Sequence, residues 1–254
     1  LQFCINSLCY LGKFILCHPL LPIIAVMHKL LYASFKNTKN KVNHRESRMT
    51  TEQIIYHDNS DALHAHISGH TPPSEKKPAV LVFHDWSGCN PFAIQQAEKI
   101  ASMGYIGFAA DIYGKGKTGS TVEEKQALMM PFKEDRARLM SRIQSAFEYI
   151  HAHDAVDNTK IAAIGFCFGG LCALDLARVE KRLKGAVSFH GLLDRPEHLP
   201  IEPIQAQILT LHGYDDPMVQ PTDVEAFCDE MTKAQADWQV HMYGLTKHAF
   251  TNPE

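Results

Sequence analysis

The segment Gly165-Phe166-Cys167-Phe168-Gly169-Gly170 places a thiol where the motif G-x-S-x-G places its serine. Residues 160–164 before it predict a short buried strand, and residues 171–177 after it predict a helix. This succession of strand, sharp turn and helix is the context that the motif requires, and its glycines admit a strained backbone. The segment therefore predicts a nucleophile elbow that holds the side chain of Cys167 out at the carboxyl end of a sheet.

The ionisation of Cys167 depends on its predicted position at a helix N-terminus. The partial positive charge of that terminus favours a thiolate, and a nearby imidazole favours it further. We therefore expect the pKa of this thiol to fall from the reference value of about 8.5 toward neutrality. The alternative is a buried structural cysteine in an ordinary glycine-rich turn, and partners elsewhere in the chain decide between the two.

The candidate acid follows a strand predicted over residues 207–211. The next loop, residues 212–219, offers two adjacent carboxylates, and a carboxylate placed after a strand can orient an imidazole. Asp216 is preferred to Asp215 because the spacing Gly-x-x-Asp-Pro-x-Val puts the acid directly before the proline. Alternatively, both aspartates shape a turn and cap the helix predicted from residue 221.

The candidate histidine, His248, follows the last predicted strand, residues 238–243. It would lie on a loop from which it can reach Cys167. The chain contains 15 histidines, so the position of His248 after a strand carries more weight than its presence. The resulting order of nucleophile, acid and histidine is that of the α/β-hydrolase fold and differs from the orders in chymotrypsin and subtilisin.

Two backbone donors are expected beside the nucleophile. Residues 79–83 form a continuous apolar run, typical of a strand buried on both faces of a parallel sheet, and lead into the loop 84–90. Acyl transfer needs two N–H groups directed at the developing oxyanion. In this fold one belongs to the residue after the nucleophile, here Phe168, and the other to a loop after an earlier strand, here Trp86.

Asp85 precedes Trp86 and would then lie close to the thiol of Cys167. Its alternative role is to cap the helix predicted from Pro91, although Asn90 is better placed for that. We therefore include Asp85 among the substrate-binding candidates.

From Thr51 to its end, the chain resembles the dienelactone hydrolase family of α/β-hydrolases. The resemblance rests on the cysteine elbow, on the Asp216 loop, and on residues 83–90, 104–105 with 110–114, and 248–253. It implies a triad of Cys167, Asp216 and His248 that needs no metal or organic cofactor. It also implies an acidic residue, usually glutamate, that interacts with the resting cysteine, and the shorter Asp85 stands there.

The resemblance also bears on the substrate. The best-studied members of the family hold a substrate carboxylate with arginines, one of them just after the catalytic histidine. Residues 251–254 contain no arginine, so we expect neutral esters and lactones to serve about as well as carboxylated ones. Three earlier arginines in a predicted helix are interpreted as solvated surface charges: Arg136, Arg138 and Arg142.

Strands and helices alternate from residue 79 onward, which predicts an α/β fold with a mostly parallel sheet covered on both faces. Two further strands, 53–56 and 62–67, are expected to form an antiparallel edge. A hydrophobic fraction of 45% with 21% charged residues is ordinary for one soluble domain. The predicted strands are 79–83, 105–109, 160–164, 185–189, 207–211 and 238–243, and the predicted helical segments are 91–103, 121–153, 169–179 and 221–234.

The composition changes at about residue 48. Residues 1–48 contain seven lysines or arginines and one acid, whereas the rest holds 18 of the 25 basic and 27 of the 28 acidic residues. Met49 resembles a natural start, so we interpret residues 1–48 as a disordered extension or translated upstream sequence. Residues 49–254 would then be the hydrolase domain, with its C-terminal helix missing.

A membrane anchor in residues 1–48 is the less favoured alternative. The apolar stretch 14–27 is interrupted by prolines and is shorter than the roughly 20 residues of a transmembrane helix. The seven cysteines show neither paired spacing nor a C-x-x-C motif, which predicts a reducing, cytoplasmic compartment. Cys172 is expected to pack in the core, and Cys89, near the predicted pocket, could serve either structure or function.

Other partner classes are not favoured. The acidic remainder of the chain lacks a basic stripe, which argues against nucleic-acid binding. Residues 114–119 lack the full spacing of a phosphate-binding loop and are interpreted as a mobile loop over the active site.

These observations together predict a hydrolase of carboxylic esters or lactones whose partner is a small-molecule substrate. The alternative is a ligand-binding or regulatory module that keeps the same fold without turnover, since one fold hosts many functions. Turnover of a generic ester distinguishes the two.

Overall fold

The computed structural model describes residues 50–70 and 75–252 of the chain. The predictions made for residues 1–48, including the apolar stretch 14–27, lie outside these residues, as do those for residues 253 and 254. Within the described residues, no helix is long and apolar enough to cross a membrane.

A mostly parallel sheet of eight strands organises the described part of the chain. Its strands are β1 (Thr51–Asp58), β2 (Asp61–Ser68), β3 (Lys77–Phe83), β4 (Ile106–Ala110), β5 (Val156–Phe166), β6 (Gly185–Phe189), β7 (Gln207–Gly213) and β8 (Trp238–Tyr243). Their spatial order is β1-β2-β4-β3-β5-β6-β7-β8. The pairs β1/β2 and β2/β4 are antiparallel, and the other neighbours are parallel.

Helices join the parallel strands and cover both faces of the sheet. They are α1 (Pro91–Ser102), α2 (Val122–Glu134), α3 (Arg136–Ala152), α4 (Phe168–Val179) and α5 (Pro221–Lys233). The chain steps from β3 to β4 in one direction across the sheet and from β5 to β8 in the other. Because such crossovers are right-handed, this reversal puts α1 on one face and α3, α4 and α5 on the other.

The core explains why these segments form strands. All five residues from Ala79 to Phe83 are buried, as are all five of β4 and all five of β6. A strand covered by helices on both faces meets no water, so an uninterrupted apolar run is what it requires. The continuous runs in the sequence therefore predicted the central strands correctly.

The predicted edge hairpin is confirmed, because β1 and β2 pair antiparallel around a turn at Asn59, whose φ is 52°. The helical region predicted over residues 121–153 is divided into α2 and α3 at Asp135. The Asp135 side chain accepts a hydrogen bond from the backbone N–H of Arg138 at 2.9 Å and so caps α3.

The fold brings four loops to one edge of the sheet. Parallel strands end at the same edge, and the direction of the chain reverses between β3 and β5. In open α/β sheets, a crevice forms outside the carboxyl ends of the strands at such a switch point. The loops after β3, β5, β7 and β8 carry the four groups of predicted site residues to this edge.

Candidate active site

The backbone of Cys167 is strained in the way that a nucleophile elbow requires. Its φ is 55° and its ψ is −116°, between the last residue of β5 and the first of α4. A side chain at Gly165 would overlap the carbonyl of Gly169, and one at Gly169 would overlap the carbonyl of Phe83. Because glycines allow this close approach of helix and strand, the surrounding packing can hold the cysteine in its rare conformation.

His248 and Asp216 form a close pair. Nδ1 of His248 lies 2.7 Å from Oδ2 of Asp216, and Asp216 is 1% exposed. The other carboxylate oxygen accepts the backbone N–H of Met218 at 2.8 Å. Asp215 is exposed to solvent, so the acid that meets the imidazole is the one before the proline.

The second nitrogen of the imidazole is unpaired. Nε2 of His248 is buried and has no hydrogen-bond partner among the described residues, so it makes no hydrogen bond to the sulfur of Cys167. With Nδ1 engaged by Asp216, Nε2 carries the lone pair of the neutral ring. A backbone hydrogen bond of 2.9 Å from Tyr214 to Tyr243 joins the loop of the acid to the strand before the histidine.

Two backbone N–H groups act on the thiol of Cys167. Those of Phe168 and Trp86 both lower its pKa and so favour its thiolate form. Phe168 is the first residue of α4 and Trp86 lies in the loop after β3, which are the positions predicted for the oxyanion donors. The hydroxyl of Tyr113 donates a hydrogen bond to the carbonyl of Trp86 at 3.0 Å, which ties the loop after β3 to Tyr113.

The expectation of a lowered thiol pKa is wrong. The pKa of Cys167 is raised to about 12, first by burial and then by the negative charges of Asp85 and Asp216. The N–H groups of Phe168 and Trp86 act in the opposite direction but do not outweigh these effects. The resting sulfur is therefore a neutral thiol, because a buried site close to two carboxylates penalises a third negative charge.

Asp85 lies near the thiol and does not cap α1. Its Oδ1 accepts the backbone N–H of Ser87 at 2.8 Å, which holds the loop after β3 in a tight turn. The cap of α1 is Asn90, whose side chain accepts from Ala93 at 3.1 Å. The capping alternative for Asp85 is therefore excluded, and its charge acts on Cys167.

A match to a family model described as the dienelactone hydrolase family covers residues 64–254. The chain belongs to this family. A structure of a dienelactone hydrolase-like promiscuous phosphotriesterase from metagenomic libraries superposes with a TM-score of 0.77, at 34% identity, over 81% of this chain and 85% of that one. The expected α/β-hydrolase fold is thus confirmed, and so, at the level of the family, is the expected ester or lactone hydrolase.

Similar proteins are found in bacteria. A protein of Aquifex aeolicus, named as a carboxymethylenebutenolidase, is 29% identical over 71% of this chain and 79% of its own length. A Bradyrhizobium protein, named as a 2-oxo-3-(5-oxofuran-2-ylidene)propanoate lactonase, is 27% identical over 68% of this chain and 73% of its own.

The arginines of this dienelactone hydrolase family member are engaged elsewhere. The interpretation of Arg136 and Arg142 as surface charges is wrong, since their side chains are 9% and 2% exposed. Arg136 binds the carboxylates of Asp175 and Asp194, and Arg142 binds those of Asp58 and Asp61. These carboxylates make burial of a guanidinium tolerable.

Arg138 is exposed, as predicted, and its guanidinium carbon lies 4.5 Å from the ring centre of Phe132. Among the described residues, no cluster of three or more histidine, cysteine, aspartate or glutamate side chains is arranged to hold a metal ion.

The loop 114–119 is hydrogen-bonded to its neighbours, and its mobility stays a prediction. The carboxylate of Asp111 accepts backbone N–H groups of Gly114 and Gly116 at 2.9 and 2.8 Å. Gly119 donates to the carbonyl of Ser87 at 3.0 Å, which ties the loop to the segment after β3. Cys172 is fully buried in the core as predicted, and Cys89 is buried with its sulfur 3.5 Å from the carbonyl of Ala109.

Sequence reasoning missed one buried histidine beside the site. His190 follows β6 and lies with its ring centre 5.0 Å from that of His248. Its signal was a polar residue directly after a predicted central strand, at the edge where the other site residues were expected. Among 15 histidines, that signal does not stand out without the sheet order.

Proposed function

We propose that the protein hydrolyses carboxylic esters or lactones through an acyl-enzyme on Cys167. His248 acts as general base and then as general acid, and Asp216 orients it. The observation that carries the proposal is the 2.7 Å contact between Asp216 and His248, which leaves Nε2 free at the edge where the elbow presents the thiol. Such a set of nucleophile, base and orienting acid is what acyl transfer needs.

Acylation begins from the neutral thiol. As the sulfur of Cys167 attacks the substrate carbonyl, Nε2 of His248 takes the thiol proton, and Asp216 stabilises the resulting imidazolium. The carbonyl oxygen becomes an oxyanion and is held by the N–H groups of Phe168 and Trp86. Because the thiol is neutral at rest, its deprotonation accompanies substrate attack instead of preceding it.

Collapse of the tetrahedral intermediate expels the alcohol, which receives the proton from His248. For a lactone, the new hydroxyl stays attached to the acyl group. Water then attacks the thioester while His248 takes one of its protons. The second tetrahedral intermediate releases the carboxylic acid, and the departing sulfur of Cys167 recovers its proton from His248.

The test is a panel of small esters and lactones assayed with the wild type, Cys167→Ala and Cys228→Ala. Cys228 lies in α5 and serves as the matched loss of a thiol outside the site. We expect turnover by the wild type and Cys228→Ala but not by Cys167→Ala. Binding of these compounds without turnover by the wild type would instead favour a non-catalytic binding module, and activity of Cys167→Ala would exclude the nucleophile.

A second substrate class is favoured by the phosphotriesterase relative at 34% identity. A phosphotriester is neutral. After attack by the sulfur, its phosphoryl oxygen can accept hydrogen bonds from the same two N–H groups, those of Phe168 and Trp86. We propose that an aryl dialkyl phosphate releases at least one equivalent of phenol per site, with loss of that burst in Cys167→Ala. Release that is equal in both proteins would contradict this activity.

The four cysteines in the described residues are free: Cys89, Cys167, Cys172 and Cys228. Free thiols support the proposal of a reducing, cytoplasmic compartment. Fractionation of cells that express the protein, with the location of activity as the readout, tests it. Activity confined to an oxidising compartment would contradict it.

A further inference from the structure

His190 is a junction of the three segments that carry the proposed triad. Its backbone N–H donates a hydrogen bond of 2.9 Å to the carbonyl of Leu211 in β7, the strand that leads to Asp216. The carbonyl of Phe189, directly before it, accepts the N–H of Cys167 at 3.0 Å. Residues 189 and 190 are thus hydrogen-bonded both to the elbow at Cys167 and to β7, the strand before Asp216.

The imidazole of His190 meets the third segment, the loop after β8. Its Nε2 lies 2.7 Å from the hydroxyl of Thr251. Its ring also makes edge contacts with His248, at 5.0 Å between centres, and with Phe250, at 5.3 Å. Three of the four residues from His248 to Thr251 therefore rest on this one side chain.

His190 combines a strained backbone with a buried side chain. Its φ is 40°, a left-handed conformation that costs of the order of 1 kcal/mol for a residue other than glycine. The side chain is 3% exposed. Its Nδ1 is buried without a hydrogen-bond partner among the described residues, which favours the tautomer with the proton on Nε2, donated to Thr251.

The pKa of His190 suits a residue that lies beside His248, the proposed proton carrier. Burial and the nearby ring of His248 lower the pKa of His190 to about 3. His190 therefore remains neutral while the adjacent imidazole gains and loses a proton in each turnover. A charged neighbour would repel the imidazolium, whereas a neutral ring supports it without that penalty.

We propose that His190 is a positioning residue for His248: through Thr251 and the ring contact, it holds the imidazole of the proposed triad in its place against Asp216. The inference rests on the proposed function. Because a small displacement of a proton-transfer group slows chemistry more than it weakens substrate binding, the loss should appear in kcat.

The test compares two ways of deleting the hydrogen bond with a matched deletion elsewhere in the loop. His190→Phe keeps a buried ring and removes the donor, and Thr251→Val removes its partner. Thr246→Val is the control, since its hydroxyl contacts the carbonyl of Gly244 and not His190. We expect kcat to fall roughly tenfold or more in the first two, with KM changed less than about twofold, and both constants unchanged in the control.

Conservative variants and the double variant separate positioning from a general loss of structure. His190→Gln can place an amide N–H where Nε2 lies, and Thr251→Ser keeps the hydroxyl, so both should recover most of kcat. Combining His190→Phe with Thr251→Val should cost little beyond the larger single loss, because both remove one interaction. If His190→Phe does not fold, the comparison of Thr251→Val with Thr251→Ser still decides.

An unchanged kcat in Thr251→Val and His190→Phe, or a loss confined to KM, would overturn the inference. So would failure of Thr251→Ser to recover activity. These outcomes are distinct from failure of the proposed function, which would appear as absence of turnover in the wild type or as activity in Cys167→Ala, whatever the behaviour of His190.

Discussion

Asp216 and Asp215 are neighbours in sequence, but Asp216 is buried against the ring of His248 while Asp215 is exposed. We therefore expect Asp216→Asn to lower kcat by two or more orders of magnitude, because the amide no longer stabilises the imidazolium or fixes its tautomer. Asp215→Asn should change kcat by less than about twofold. Steady-state kinetics on one ester, with thermal unfolding as the control for folding, measures both. Equal losses, or a larger loss in Asp215→Asn, would contradict the assignment.

The raised pKa of Cys167 gives a pH-dependent prediction. A group whose pKa is about 12 is protonated through the neutral range, and its thiolate fraction increases as pH rises. The rate at which iodoacetamide alkylates Cys167 should therefore continue to rise between pH 8 and about pH 10, where an ordinary thiol with a pKa of about 8.5 levels off. Mass spectrometry of the modified peptide over a pH series measures the rate. A plateau near neutral pH would indicate a thiolate paired with imidazolium.

Asp85 should contribute to that raised pKa. Asp85→Asn removes the negative charge and keeps the oxygen that accepts the N–H of Ser87, so the loop should be retained. We expect alkylation of Cys167 at pH 8 to be faster in this variant, because one of the charges that disfavour the thiolate is gone. A Glu98→Gln variant, which changes a carboxylate of α1, controls for general charge effects. An unchanged rate in Asp85→Asn would show that burial and Asp216 keep the thiol neutral without help from Asp85.

The outcome for Cys167 shows where sequence reasoning reaches its limit. The glycine spacing predicted the elbow correctly, because close approach of two backbones leaves a local signature. The pKa was predicted with the wrong sign, because it depends on burial and on two carboxylates that are distant in sequence. A helix N-terminus was visible in the sequence, whereas the charges that oppose it were placed by the fold.

The arginines illustrate the same limit. Arg136 and Arg142 lie in an ordinary amphipathic helix, where a solvated charge is the usual state. Their burial depends on carboxylates 39 and 81 residues away in sequence, Asp175 and Asp61, which only the tertiary structure brings close. His190 was missed for a similar reason, since its neighbours come from β7 and from the loop after β8.

The domain boundary near residue 48 remains a prediction. Every candidate site residue lies between residues 50 and 252, on the sheet and helices of this part of the chain or on the loops that join them. A chain that begins at Met49 should therefore melt cooperatively and keep kcat within about twofold of that of the full chain. Calorimetry and steady-state assays of the two chains measure this. Aggregation or inactivity of the shorter chain would assign a structural role to residues 1–48.

The charge of the preferred substrate should depend on how the arginines are occupied. Arg136, Arg142 and Arg178 bind carboxylates within the fold, so their guanidinium groups are not free to hold a substrate anion. Neutral esters and lactones should therefore be hydrolysed about as well as carboxylated ones. The measurement is kcat/KM for a carboxylated lactone and its neutral methyl ester at two salt concentrations.

Lys125, beside one of the two proposed oxyanion donors, supplies a control for this experiment. Nζ of Lys125 lies 5.6 Å from the ring centre of Trp86. A large preference for the acid that decreases with salt would contradict the prediction and would indicate a cation in the pocket. Lys125→Gln then identifies it: loss of the preference would assign the recognition to this lysine, and its persistence would point to a different group. With no preference in the wild type, Lys125→Gln should change kcat/KM equally for both substrates.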